Sequence, residues 1–146
     1  MDTLLFRALL LIALIFPASV RAEIAVVVHS DSPVNALSAD QVSDLYLGRA
    51  HGIDRGGLTS SVRSAIYDHP ENSSLRQEFY RSLNGMSLRS VNSYWARLRF
   101  SGLVMPPEEL RDSRAVLDRV KHDRSAIGYV DAELVDRSVK VVLRLR

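Results

Sequence analysis

Apolar and polar positions alternate in blocks along this chain, and the spacing within each block predicts a strand or a helix. Segments rich in β-branched and aliphatic residues predict four strands: 23–29, 62–67, 126–130 and 139–145. Segments in which apolar residues recur every three or four positions predict four helices: 39–47, 74–83, 87–100 and 113–121. Because strands separated by helices are typical of α/β domains, we expect a mixed or largely parallel central sheet flanked by helices.

Local signals mark the ends of several of these elements. Ser38 and Gln41 have the spacing of a capping box before the first helix, and Gly48 follows its last turn. Gly85 predicts the end of the second helix in the same way. The glycine-rich segment 51–60 is a predicted loop.

The first 22 residues form a predicted signal peptide rather than part of the fold. Arg7 precedes an unbroken apolar run of 9 residues, Ala8 to Phe16, which is far shorter than the roughly 20 residues that span a bilayer. We predict cleavage after Ala22, so that residues 23–146 form one mature domain. We expect this domain to lie in the periplasm without a membrane anchor.

The composition narrows the function mainly by exclusion. The chain has no cysteine, which excludes disulfides, thiolate metal sites, thiol nucleophiles and a lipid-modified cysteine. An exported chain of this size without disulfides is typical of a bacterial periplasm. The formal net charge is +2, and the arginines are interspersed with acidic residues, so we expect no nucleic-acid partner. The 4 histidines lack ligand-like spacing and no catalytic motif is present, so we expect no metal, no cofactor and no enzymatic activity.

The segment 62–80 contains the best candidate for a binding site. Its residue pattern predicts a strand, then a polar loop, then the start of a helix. A helix N-terminus presents unpaired backbone N–H groups and the positive end of the macrodipole, which together attract anions. Nearby hydroxyl, amide, guanidinium and imidazole groups would complete such a site. The predicted ligand contacts are Ser73, Ser74, Arg76, His69 and Asn72.

The alternative interpretation of the same segment is a helix cap without a ligand. One of the three polar residues at 72–74 would accept a hydrogen bond from the first turn. Gln77 would then complete a capping box on Ser74.

Two further serines are candidate ligand contacts at another strand end. Ser30 and Ser32 follow the first predicted strand, and α/β folds place ligands where strands end. A polar turn ahead of Pro33 explains the same residues without a ligand.

Three segments carry a family resemblance through their order in the chain. Residues 26–34 read VVVHSDSPV, residues 37–48 read LSADQVSDLYLG, and residues 126–130 read AIGYV. In this order, with Tyr94-Trp95 and the helix start at 71–79 falling between the first and last of them, they resemble the phosphate-type periplasmic solute-binding proteins, the soluble receptors of ABC importers, in which the last strand also reads AIGYV. Full-length members have two lobes that close on the ligand. The resemblance therefore implies a type II periplasmic-binding-protein-like fold reduced to a single lobe.

The resemblance also implies a ligand, phosphate or a related small anion, and a partner, an ABC permease. The family's loop before its ligand-binding helix looks like R-x-x-G-S-G-T. Laid onto this sequence, its arginine falls on His69 and its first glycine on Asn72, while only Ser73 is kept. Its second glycine falls on Ser74 and its threonine on Leu75. These departures, and the lack of a counterpart to the other lobe, predict loose anion binding.

The alternative function belongs to a different class of protein. It is an interaction module of the cell envelope that has lost high-affinity ligand binding. Such a module would work through a protein partner or as a homodimer that restores a two-lobed cleft. The oligomeric state in solution distinguishes the homodimer from a lone lobe with an open site.

Overall fold

The computed structural model describes residues 21–59 and 63–146, so the predicted signal peptide lies almost wholly outside the described residues. Strands and helices alternate through most of this part of the chain. In chain order they are β1 (Ile24–His29), α1 (Ala39–Tyr46), β2 (Gly52–Asp54), β3 (Gly57–Thr59), β4 (Ala65–Asp68), α2 (Ser74–Asn84), α3 (Leu88–Ser101), β5 (Glu108–Glu109), α4 (Ser113–His122), β6 (Ala126–Asp131) and β7 (Val139–Leu145). Within this part of the chain, no helix has the length and hydropathy needed to cross a membrane.

The central sheet is mixed, as the sequence pattern predicts. Its 5 strands lie in the order β5-β4-β6-β1-β7. β4 runs parallel to β5 and to β6, whereas β1 runs antiparallel to both β6 and β7. The register of β6 pairs Ile127 with Ile66 of β4 and with Val28 of β1. The carboxyl ends of β4 and β6 therefore meet at one edge of the sheet, and the amino end of β1 lies at that same edge.

Helices cover both faces of this sheet. On one face, Val26 and Tyr129 pack with Phe79 of α2 and Trp95 of α3. On the other face, alternate residues of β1 pack against α4. Gly128 permits the close approach of α4, because a Cβ atom at this position would lie 2.4 Å from Cγ1 of Val116.

Most of the predicted elements are confirmed. Ser38 caps α1, and the side chain of Gln41 accepts a hydrogen bond from the Ser38 N–H, which completes the predicted capping box. α2 ends at Gly85, whose φ of +75° is the left-handed conformation that glycine tolerates. β7 spans the predicted residues, Val139–Leu145.

The prediction of a loop over 51–60 is wrong for its described part. Residues Gly52–Asp54 and Gly57–Thr59 form a short antiparallel hairpin, in which Ile53 pairs with Leu58. Three-residue strands are too short to show an alternating pattern, and the glycines of this segment are typical of loops. The predicted strand 62–67 is confirmed from Ala65 onward and extends to Asp68, while its first residue lies outside the described residues.

Candidate functional site

The carboxylate of Asp68 is the centre of a buried polar cluster at the edge where β4 and β6 end. Asp68 is 1% exposed, and four groups donate hydrogen bonds to it. Its Oδ2 accepts from Nε of Arg76 at 3.2 Å and from the hydroxyl of Tyr80 at 2.7 Å. Its Oδ1 accepts from the backbone N–H of His69 at 2.7 Å and from the hydroxyl of Tyr129.

Local structure explains why these side chains meet. Asp68 is the last residue of β4, so its side chain lies beside the following helix. Arg76 and Tyr80 are four residues apart in α2, and side chains at this spacing share one helix face. Tyr129 comes from β6, the parallel neighbour of β4. We refer to these four residues as the Asp68 cluster.

Arg76 carries the positive charge of the Asp68 cluster. Burial lowers the pKa of Arg76, but the negative charge of Asp68 opposes this, and the net shift is upward. Besides Asp68, the guanidinium reaches Asn92, where Nη1 donates to Oδ1 at 2.9 Å, and the carbonyl oxygen of Glu71 at 3.4 Å. These bonds use Nε and Nη1, so Nη2 has no hydrogen-bond partner among the described residues.

The tyrosines of the cluster stay neutral. Burial raises the pKa of Tyr80 and of Tyr129, and the negative charge of Asp68 raises each pKa further. A neutral hydroxyl remains a hydrogen-bond donor. The cluster therefore holds one carboxylate against one guanidinium, with two neutral donors.

A polar cleft of about 400 Å³ lies in front of Arg76. Its walls come from the segment between the end of β4 and the first turn of α2, from one side of α3, and from Pro106, Pro107 and Glu109. Its charged lining residues are Asp68, Glu71, Arg76, Arg99 and Glu109. Because three of these are acidic and two are basic, the cleft as a whole is not a strongly positive anion site. Trp95 also lines it, and the indole Nε1 of Trp95 is buried without a hydrogen-bond partner in the described part of the chain.

Of the three predicted ligand contacts at positions 72–74, one caps α2 and the other two are exposed. Ser73 is the N-cap, and its Oγ accepts a hydrogen bond from the N–H of Arg76 at 3.3 Å. Ser74 is the first helical residue and is exposed, as is Asn72 in the preceding turn. The predicted capping box on Ser74 is wrong, because the N–H of Gln77 bonds instead to the carbonyl oxygen of Ser73.

His69 faces the protein interior rather than solvent. It is 3% exposed, and its Nε2 lies 2.9 Å from the backbone carbonyl oxygen of Tyr129. A carbonyl oxygen only accepts, so Nε2 carries the proton. The imidazole also packs against the Tyr129 ring, with 4.7 Å between the ring centroids.

Ser30 and Ser32 lie at the other end of the sheet. β1 runs antiparallel to β6, so its carboxyl end points away from the edge that carries Asp68. The Oγ of Ser32 accepts from the N–H of Val34 at 3.3 Å, which is the turn interaction that explains this serine without a ligand. The structure therefore does not bring these two serines to the same site as Ser73.

Asp68 and Asn92 are site residues that the sequence analysis missed. The available signal was an acidic residue at the end of an apolar strand, followed by an arginine and a tyrosine at helical spacing. Asn92 carried no such signal, since its contact with Arg76 depends on how α3 packs against α2.

Comparison with solved structures identifies the fold. A protein described as a phosphate ABC transporter substrate-binding protein with bound phosphate, from Clostridium perfringens, matches with a TM-score of 0.64 and 22% identity over 83% of this chain and 45% of its own. An ABC-type phosphate transport receptor from Vibrio cholerae matches with a TM-score of 0.64 and 21% identity over 83% of this chain and 47% of its own. PstS from Borrelia burgdorferi matches with a TM-score of 0.60 and 8% identity over 83% of this chain and 47% of its own.

These matches show that the chain has the fold of one part of phosphate-type substrate-binding proteins, as the resemblance implies. The chain spans less than half the length of the proteins it matches. No protein-family model matches the sequence, and no curated protein matches it.

Proposed function

We propose that this protein is exported to the periplasm and acts as a single-lobe solute-binding protein for phosphate or a related small anion, in the service of an ABC importer. The supporting observation is the first turn of α2. Arg76 in this turn is 4% exposed, is held by Asp68 and Asn92, lines the polar cleft, and has no hydrogen-bond partner for Nη2 among the described residues. The fold is the one in which the matched proteins are phosphate receptors.

The anion would contact the exposed start of the helix. The backbone N–H groups of Ser74 and Leu75 belong to the first turn of α2. Backbone N–H groups in a first turn have no carbonyl acceptor within their own helix. The Ser74 hydroxyl is an additional donor, with Ser73 and Asn72 beside it. These groups and the helix dipole favour a small oxyanion at this position.

We expect the affinity to be modest for two physical reasons. The positive charge of Arg76 is already balanced by Asp68. In addition, an open site does not exclude water, so its charge interactions are screened by a high dielectric constant. His69 adds little direct contact while its Nε2 is bonded to the Tyr129 carbonyl.

Calorimetric titration with phosphate and with sulfate at low salt tests the proposal. The sharpest variant is Ser74→Glu, because a carboxylate at the first helical position competes with the anion while the helix dipole favours it. We expect saturable heat from the unchanged protein and at least tenfold weaker binding in S74E. Ser90→Glu is the matched control, since it adds the same charge to the first turn of α3. No saturable heat from the folded protein, or equal loss in both variants, would refute the site.

The alternative function is an envelope interaction module that has lost ligand binding. A specific observation supports it: Asp68 is itself an anion, and it already accepts from Arg76, Tyr80 and Tyr129. In this alternative, the internal carboxylate already satisfies donors that would otherwise be available to a ligand oxyanion. Absence of anion binding together with a dimer in sedimentation equilibrium would favour this alternative.

A further inference from the structure

Three large apolar side chains are exposed in the last turn of α3 and in the segment that follows it. Phe100, Leu103 and Met105 are 94%, 86% and 80% exposed. Scattered single apolar residues are normal on protein surfaces, but three within six positions concentrate exposed apolar area in one short segment. We call these three residues the apolar tip. The chain reaches it through Gly102, whose φ of +67° ends the helix.

The helix that leads to the apolar tip is cationic. α3 carries Arg89, Arg97 and Arg99 and no acidic residue, and all three arginines are exposed. None of the three forms an ion pair or side-chain hydrogen bond with a described residue. Elsewhere in the described chain most arginines have a carboxylate within 4 Å, and these paired arginines are Arg49, Arg76, Arg81, Arg111, Arg119, Arg124, Arg144 and Arg146.

Helical geometry places two of these arginines on the same side of α3 as Phe100. Arg89, Arg97 and Phe100 are separated by eight and three residues, so they fall on one face of α3 at 3.6 residues per turn. Val91 and Trp95 are the buried residues of this helix and lie on the opposite face. The exposed face therefore carries Arg89 and Arg97 and ends at Phe100, the first residue of the apolar tip.

We propose that this face docks on an anionic phospholipid surface, with the apolar tip inserted at the level of the headgroups and with Arg89 and Arg97 on the lipid phosphates. This inference goes beyond the proposed solute binding and does not depend on it. Apolar side chains beside unpaired cations are the combination that holds a peripheral protein on anionic lipid.

The size of the tip favours lipid over a second copy of the chain. A large side chain buries about 200 Å², so three of them supply less than the roughly 800 Å² that each partner contributes to a standard protein interface. Shallow insertion into a bilayer has no such minimum area. Nearby acidic residues do not pair with Arg89 or Arg97: Glu108 lies 3.8 Å from Arg119, and Glu109 lines the polar cleft, as Arg99 does.

Vesicle co-sedimentation tests this proposal with the protein as purified after export. We expect binding to vesicles of phosphatidylglycerol and phosphatidylcholine, little binding to phosphatidylcholine alone, and release at high salt. The triple variant F100S/L103S/M105S should reduce the partition coefficient at least tenfold. R89Q/R97Q should reduce it at least fivefold, because each arginine near an anionic surface contributes about fivefold.

The double variant R114Q/R137Q is the matched control. It removes the same charge from exposed positions, one on α4 and one before β7, so its binding should stay within twofold of the unchanged protein. Equal loss in both arginine variants would mean that only net charge acts, which would overturn the docking face. No binding to anionic vesicles would overturn the proposal. A dimer that dissociates in the tip variant would replace lipid with a second copy as the occupant.

Discussion

Arg76 and Asp68 form an ion pair that is removed from water. Nε of Arg76 lies 3.2 Å from Oδ2 of Asp68, and the two side chains are 5% and 2% exposed. Every other ion pair recorded among the described residues joins side chains that are at least 30% exposed. The buried pair connects the end of β4 to the first turn of α2, where the anion site is proposed.

Breaking the buried pair should destabilise the protein strongly. We expect Asp68→Asn to lower the free energy of unfolding by about 3–5 kcal/mol, because Arg76 would keep a buried charge without a counter-ion. Urea unfolding followed by circular dichroism measures this loss. The control is Asp31→Asn, which removes the partner of exposed Arg124 and should cost less than about 1 kcal/mol.

The double variant D68L/R76M tests whether Asp68 and Arg76 stabilise the protein through their mutual interaction. We expect it to be less destabilised than the sum of the single variants D68L and R76M, because it leaves no unpaired charge. Strict additivity would mean that the two residues act independently, contrary to the contact described.

Stability should fall at high pH because of buried tyrosines. The pKa values of Tyr46, Tyr80 and Tyr129 are raised above 10 by burial and then by the charge of Asp68. When the folded-state pKa of a tyrosine is raised, the free energy of unfolding is unaffected below the unfolded pKa of about 10. It falls as pH rises above that value, because the tyrosine then ionises only in the unfolded chain. Spectrophotometric titration should show these three ionising only as the protein unfolds. Ionisation of all 5 tyrosines near their ordinary pKa in folded protein would contradict the cluster.

Replacing Gly128 with any larger residue should destabilise the protein. A Cβ atom there would lie 2.4 Å from Cγ1 of Val116, so Gly128→Ala should destabilise the fold by about 1–3 kcal/mol through overpacking. Adding Val116→Ala should recover part of this loss. Gly56→Ala is the control, since no atom lies within 4 Å of its Cβ and its φ is not positive, and thermal unfolding should show little change.

The N-cap of α2 should contribute to stability independently of any ligand. Ser73→Ala removes the acceptor for the Arg76 N–H and should cost about 1 kcal/mol in urea unfolding. Ser74→Ala removes a hydroxyl that caps nothing and should change stability by less than about 0.5 kcal/mol. The reverse ranking would mean that the cap is Ser74.

Much of the fold could be predicted because its signals are local. The capping box of Ser38 and Gln41 spans three residues, and the spacing of Val91 and Trp95 shows the buried face of α3. Short elements could not be predicted, because a local pattern needs several positions to be visible. The hairpin at Gly52–Thr59 and the two-residue β5 contain too few positions to show a period.

The candidate site could be predicted only in part. The sequence located the start of α2 and placed Ser73 and Arg76 there, since cap and first turn are neighbours in the chain. It could not show that Arg76 pairs with Asp68, or that His69 bonds to the Tyr129 carbonyl.

The sequence by itself determined the alternation of strands and helices, most of their ends and the polar start of α2, because residues within one helical turn interact whatever the rest of the chain does. The tertiary structure alone decided the order and direction of the strands. Parallel pairing of β4 with β6 brings Tyr129 to Asp68 across 61 residues of sequence. Antiparallel pairing of β1 with β6 sends Ser30 and Ser32 to the far edge. Long-range strand pairing sets both distances, and no local pattern encodes it.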